Sequence, residues 1–223
     1  MATPVPDLTT AVEDYLKAIQ ALELDGRRVT VTALAARLGV SAPSATQMTK
    51  RLSELGLVER APYRGLALTP TGRTAALTVL RRHRLLERYL TDRLQVPLDQ
   101  VHGEAERLEH ALSPALEARI DEALGFPEID PHGDPIPDGR LQLAARAGRT
   151  VAELERGEQA TIAHVPDEDP ALLSYLVELG LVPGNDVEVM GHAPFDGPTT
   201  VRTETGEHAI GRDLATAVHV RPA

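Results

Sequence analysis

The 223-residue sequence has no cysteine and no tryptophan, and only two Phe and four Tyr. Without cysteine there are no disulfides, thiolate zinc sites, iron–sulfur clusters or thiol nucleophiles. With so few aromatics the cores must be built from Leu, Val and Ala. The stacked aromatic platforms that hold single-stranded nucleic acid are not expected. No apolar run approaches the roughly 18 residues of a membrane span. Met1–Thr10 lacks a basic-then-apolar secretory pattern, so a cytoplasmic protein with no membrane partner is expected. Also missing are an internal repeat, a Gly-rich phosphate loop, a nucleophile elbow and a His-Glu-x-x-His helix, which weighs against the common enzyme classes.

Positive charge is scarce and unevenly placed. Lys and Arg total 23 against 33 Asp and Glu, a formal charge of −10. Residues 1–72 nevertheless hold eight basic and seven acidic residues, net +1, whereas the rest hold 15 and 26, net −11. Between Arg27 and Arg64 seven basic residues face only Glu54 and Glu59. An acidic protein with one basic segment can engage an anionic polymer through that segment.

Thr10 with Glu13 forms a capping-box pattern that predicts a helix over Ala11–Leu24, broken at Asp25-Gly26. A second helix fits Val31–Leu38. Ser41 is placed to cap a third, with Ala45, Met48, Leu52 and Leu55 at helical spacing and Gly56 at its end. Strands are predicted at Leu57–Arg60 and Leu66–Thr69, around Pro62-Tyr63-Arg64-Gly65. This order is that of a winged helix-turn-helix. Pro70 opens a long helix to Leu94, a further helix spans Leu98–Leu112, and Ser113-Pro114 starts another ending near Gly125. That last helix carries Leu116, Ile120 and Leu124 as a stripe suited to an intrachain core or a dimer seam. FPEIDPHGDPIPDGR (126–140) reads as an irregular connection. Beyond Gly148, strands are expected at Gln159–Val165, Asp186–Gly191, Thr199–Thr203 and Ala215–Val220, with a helix at Pro170–Leu179, as in a small β-barrel or sandwich. The expected domains are 1–72, 73–145 and 146–223.

On the long helix Leu80, His83, Glu87, Leu90 and Leu94 share one face, so two polar groups interrupt an apolar stripe one turn apart. An isolated pair of this kind is as well explained by a mutual hydrogen bond. On the next helix, His102, Glu106, Glu109 and His110 fall at about 0°, 40°, 340° and 80° on a helical wheel. Three His and three Glu without sulfur suit a hard or borderline divalent cation such as Mn²⁺, Fe²⁺ or Zn²⁺.

The winged-helix order, the stretch TPTGRTAAL…RRHRLLERYLTDRLQVPLDQVHGEAERLEHALS, the PHGDPIP connection and the ELGLVPGNDVEV segment together resemble the diphtheria-toxin-repressor family. The resemblance covers nearly the whole chain. It implies a metal-activated, homodimeric transcriptional repressor: a winged helix, a helical metal-binding and dimerisation domain, and a C-terminal SH3-like (FeoA-like) barrel. It places His83, Glu87 and His102 in one metal site, and Asp14, Glu106, Glu109 and His110 in a second. The iron-responsive branch has Met and Cys where this chain has Asp14 and Glu106, and the manganese branch has Asp and Glu. Hard carboxylates in place of sulfur favour Mn²⁺ over Fe²⁺. Lys17 departs from the ligating Glu of manganese-branch members without a barrel. Some members add ligands from the C-terminal domain, and Glu168 or Asp169 in PDEDPALL stands there, although acidic residues before a helix are equally at home as its cap.

The polar face of the third helix carries Ser44, Gln47, Lys50 and Arg51, with Ser41, Pro43 and Thr46 at its start. Gln can pair bidentately with adenine, Pro and Thr methyls can touch thymine, and Lys and Arg bind phosphate. Arg60, Tyr63 and Arg64 in the wing, with Thr32 and Arg37, complete the expected contacts to a double-stranded operator, expected to be a palindrome near metal-uptake genes. The competing expectations are an iron-responsive regulator, a metallohydrolase built on the His/Glu cluster, and a winged-helix regulator gated by an organic ligand.

Overall fold

The computed structural model describes residues 8–61, 65–145, 148–167 and 169–222. The chain forms two compact units: Met1–Arg82 with Pro137–Gln142, and His83–Ile136 with Leu143–Ala223.

The first unit holds helices α1 (Thr10–Leu24), α2 (Val31–Arg37) and α3 (Ala42–Glu54), the antiparallel strands β1 (Val58–Ala61) and β2 (Gly65–Leu68), and the start of α4 (Pro70–Leu94). Its core is aliphatic, as the lack of aromatics requires: Leu16, Ile19, Leu34, Ala45, Leu52, Leu57 and Ala76 are all essentially inaccessible. The expected winged helix-turn-helix order is present. Thr9, not Thr10, precedes α1, and no side chain caps that helix, so the expected capping box is not formed. Thr30 caps α2 and Ser41 caps α3, each accepting the amide three residues on. Gly65 has φ +87° and its missing Cβ would lie 2.2 Å from the Val29 carbonyl, so only glycine lets β2 pass this close to that segment.

The second unit contains the later turns of α4, then α5 (Leu98–Leu108), a 3-10 turn at Glu109–Ala111 and α6 (Pro114–Ala123). The expected single helix over Leu98–Leu112 is thus shorter. The tightened turn displaces Glu109 and His110 from the wheel positions of a continuous α-helix. Leu85, Leu90, Val101, Ala105 and Ile120 form its aliphatic core. Of the α6 stripe, Ile120 is buried and Leu116 is half exposed.

The C-terminal segment contributes β3 (Arg149–Thr150), β4 (Gln159–His164), α7 (Pro170–Glu178), β5 (Asp186–His192), β6 (Thr199–Thr203), β7 (Gly206–Ile210), α8 (Arg212–Ala217) and β8 (His219–Pro222). The strands form one antiparallel sheet in the order β3-β8-β4-β5-β6-β7. Among the described residues the two-residue β3 and β7 stay as unjoined edges, so the sheet is open and the expected closed barrel is corrected to an open, SH3-like sheet. The strand expected over Ala215–Val220 is divided: Ala215 lies in α8, buried against the sheet core, and pairing begins only at His219.

Candidate metal centre

Three donor atoms converge between α4 and α5. His83 and Glu87, one turn apart on α4, are both buried, and His83 Nε2 lies 2.9 Å from Glu87 Oε1. His102 Nδ1, on α5, is 3.1 Å from each of those atoms. On its far side His83 Nδ1 donates to Glu109 Oε2 at 2.5 Å. A carboxylate can only accept when ionised, so this bond keeps the proton on Nδ1, and a cation that displaces the Nε2 proton would meet that nitrogen's lone pair beside Glu87 and His102.

Two further residues complete the cluster. Asp167 Oδ2, just past β4, stands 3.5 Å from His102 Nδ1. His132, in the loop after α6, donates from Nε2 to the Leu98 carbonyl at 3.1 Å and turns Nδ1 to within 3.7 Å of Glu87 Oε1. Two ligand triads therefore share Glu87: His83/Glu87/His102 and Glu87/His132/Asp167, the atoms of each within 4.8 Å of one another. Glu87 Oε2 and His132 Nδ1 are buried without a hydrogen-bond partner. Leaving two such atoms unmatched costs on the order of 1–3 kcal/mol each, and a cation among these nitrogens and oxygens would satisfy both. The residues present fit a divalent metal ion.

The electrostatics agree. Burial pushes the Glu87 carboxyl up, but the His83 charge, hydrogen bonds from His102 and His83 and the close approach of His132 hold it well below the usual carboxylate range. Burial likewise depresses the His132 imidazole, yet the Glu87 carboxylate 3.7 Å away and the charges of Asp167 and Asp130 raise it to about 10. Burial and the neighbouring charges of Glu87 and Asp134 push Asp130 well above its ordinary value, against Arg84 and His132. A tight knot of anions is thus held together by protons, the arrangement a cation displaces.

Of the second expected group, Glu109 is buried with Oε1 3.3 Å from His110 Nε2. Glu106 is exposed and lies 3.7 Å from His102 Nε2, against the first group. Asp14 is half-buried on α1. Asp169 is placed differently from the expectation: its carboxylate caps α7, accepting the amides of Ala171 and Leu172, and the acid this loop turns toward His102 is Asp167. Glu168 lies outside the described residues.

On α3 the face away from the core exposes Ser41, Pro43, Ser44, Thr46, Gln47, Lys50 and Arg51, while Ala45, Thr49 and Leu52 are buried. Thr32 and Arg60 are exposed and Arg37 is half-buried; Tyr63 and Arg64 lie outside the described residues. Lys50 pairs loosely with Glu54 at 3.7 Å, a contact that phosphate would readily replace.

The residues missed in the sequence are His132, Asp167, Asp130, Asp134 and Arg84. The available signal was DPHGD (130–134), three metal-compatible side chains at alternate positions inside a stretch that reads as irregular because of its prolines.

Three family models match the chain: "Iron dependent repressor, N-terminal DNA binding domain" at residues 7–66, "Iron dependent repressor, metal binding and dimerisation domain" at 69–138, and "FeoA domain" at 149–222. The chain is 41% identical to a diphtheria toxin repressor of Corynebacterium efficiens over 96% of both chains. It is 36% identical to the iron-dependent repressor IdeR of Mycobacterium leprae over 82% of this chain and 85% of that one. Among solved structures, a manganese-dependent transcriptional repressor in complex with manganese superposes with a TM-score of 0.86 at 39% identity, covering 95% of this chain and all of that one. The manganese regulator SloR superposes at 0.83 with 28% identity over 97% of this chain. Three of these are repressors, the fourth is a regulator and none is an enzyme, so the metallohydrolase reading is set aside. The chain belongs to the diphtheria toxin repressor family of metal-dependent, DNA-binding transcriptional repressors.

Proposed function

We propose that this protein is a cytoplasmic, homodimeric, manganese-activated repressor that binds palindromic operators of metal-uptake genes, divided functionally at 1–72, 73–145 and 146–223. The observation that carries the metal assignment is the buried cluster around Glu87, in which every donor is an imidazole nitrogen or a carboxylate oxygen. Such a set, with no sulfur among its donors and no cysteine in the chain, favours the harder cations.

In this reading His83, Glu87, His102, His132 and Asp167 hold one cation. Glu109 and His110 belong to a second group, to which the family resemblance adds Asp14 and Glu106. When bound, the cation supplies a double positive charge that offsets the carboxylates gathered at Glu87. The protein's own groups do the rest. Glu109 fixes the His83 ring so that Nε2 presents its lone pair, and the Leu98 carbonyl does the same for His132 Nδ1. Gln47 on the exposed face of α3 reads base edges, and Lys50, Arg51 and Arg60 bind phosphate. Two copies related by a two-fold axis present two such helices to two half-sites, which is why a palindrome is expected.

The alternative within the family is activation by Fe²⁺, favoured by the identity to iron-dependent repressors. A mobility-shift assay on the protein's own promoter, after chelation and with Mn²⁺ or Fe²⁺ restored separately, tests both. Restoration by Mn²⁺ supports the proposal. Restoration by Fe²⁺ alone establishes the alternative, and binding indifferent to the chelator points to a regulator gated by something other than a metal.

A further inference from the structure

Arg84 neighbours His83 on α4, yet it has no place in either ligand triad. Its side chain is 6% exposed and gives its guanidinium to a single loop. Nη1 donates to the Pro135 carbonyl at 2.6 Å, Nη2 lies 3.2 Å from Asp134 Oδ2, and Nε lies 3.4 Å from Asp130 Oδ2. The loop is closed on itself, because Asp130 Oδ1 accepts the amides of both His132 and Asp134 at 2.9 Å. Its other side rests on β4. Gly133 has φ +91°, and a Cβ there would lie 1.8 Å from the Ala163 carbonyl oxygen. The Val165 amide donates to the His132 carbonyl at 3.0 Å, and Val165 is two residues from Asp167.

The loop is therefore wedged between a guanidinium and a strand, and the residues it fixes are those of the second triad. We propose that Arg84 is a positioning residue that sets the ligand number of the metal centre, and with it the selectivity. It holds the 130–135 loop in place, bringing His132 to Glu87 and, through the His132–Val165 hydrogen bond, steadying the segment that carries Asp167. This inference rests on the reading of the Glu87 cluster as a metal centre. Without the loop, the remaining set is His83, Glu87 and His102, two imidazoles and a carboxylate, a combination sufficient for Zn²⁺ at low coordination number. Mn²⁺ needs more hard donors than these three and depends on His132 and Asp167. Lysine is no substitute: a single ammonium cannot span Asp130, Asp134 and the Pro135 carbonyl in the fixed geometry of a guanidinium.

The test uses full-length protein in a His110→Ala background, so that the second group does not contribute. Mn²⁺ and Zn²⁺ affinities are measured by competition with a chelating dye for Arg84→Gln, Arg84→Lys, His132→Ala and the Arg84→Gln/His132→Ala double variant. Arg84→Gln and His132→Ala are each expected to weaken Mn²⁺ binding about tenfold or more, the usual cost of losing an outer partner or a ligand. Zn²⁺ binding should change much less, and the double variant should lose less than the sum of the two single losses, because both act through the same loop. Should Arg84→Gln not fold, Arg84→Lys is expected to lower the Mn²⁺/Zn²⁺ affinity ratio in the same direction, and an unchanged ratio there overturns the proposal. Equal losses for the two metals, or full additivity with His132→Ala, also overturn it. The visible spectrum of bound Co²⁺ separates this claim from the manganese reading. Loss of Arg84 should strengthen the absorption, as expected when five or six ligands fall to four, whichever metal activates DNA binding. An unaltered spectrum contradicts the role given to Arg84.

Discussion

Glu109 spans two candidate metal groups: its Oε2 accepts from His83 Nδ1 at 2.5 Å and its Oε1 lies 3.3 Å from His110 Nε2. A proposed ligand of the second group is thus an outer partner of the proposed first group, and the His83 ring is oriented by that residue. Glu109→Gln should therefore weaken metal binding at both groups, the first by about tenfold, whereas His110→Ala should affect the second alone. Calorimetric titration with Mn²⁺ resolves the two. An unchanged first affinity in Glu109→Gln would show that the bond is not an orienting one.

Proton release accompanies loading. His132 is raised to about 10, so without metal it is protonated at pH 7, yet only the neutral ring can be a ligand. The sign follows: affinity rises with pH, approaching tenfold per unit between pH 6 and 9 for each proton displaced. In the metal-free protein the same raised value contributes stability that is complete below the unfolded value near 6.5 and lost as pH rises through about 10. Titrations in buffers of different ionisation enthalpy should report at least one proton released per Mn²⁺ in the wild type and fewer in His132→Ala. Equal release in both would remove His132 from the centre.

Gly133 and Gly125 both have positive φ, at +91° and +75°, but only Gly133 has a carbonyl where a Cβ would go. Gly125→Ala should cost about 1 kcal/mol from backbone strain alone. Gly133→Ala should cost about 3 kcal/mol or more, because the loop must leave β4. Thermal unfolding of the metal-free proteins compares them, and equal losses would mean that the loop's seat on β4 contributes nothing.

On α3, Gln47 is exposed beside Lys50 and Arg51. Gln47→Ala should cost about 1–3 kcal/mol on the native operator and much less on random DNA. Arg60→Ala should weaken both and reduce the salt slope by about 1. Anisotropy titrations at several salt concentrations distinguish them, and equal losses for Gln47→Ala on the two DNAs would take it out of base readout.

Much of this architecture is legible in the sequence where local chemistry decides it. Pro70 starts α4, Ser41 caps α3, and the alternation at Thr199–Thr203 is a strand. His83, Glu87 and His102 can be read because helical spacing puts them on facing stripes. What escapes is whatever depends on distant backbone. Glu109 leaves the helical wheel at a 3-10 turn, which periodicity does not report. His132 and Asp167 sit on irregular segments, so only the fold brings them to Glu87. Asp169 illustrates the reverse case: a carboxylate one residue before a proline-led helix is claimed by that helix's amides. That β3 and β7 stay unpaired with each other among the described residues is likewise illegible, because closure of a sheet is decided by long-range strand pairing and not by local pattern.

The most direct measurement is operator binding under anaerobic conditions at matched free Mn²⁺ and Fe²⁺, followed by anisotropy of a labelled duplex from the protein's own promoter. The proposed sulfur-free centre, with His132 and Asp167 among its ligands, should give saturable, chelator-reversible binding for which Mn²⁺ is the sufficient signal. Binding that requires Fe²⁺ and ignores Mn²⁺, or that persists with neither, would contradict the manganese assignment.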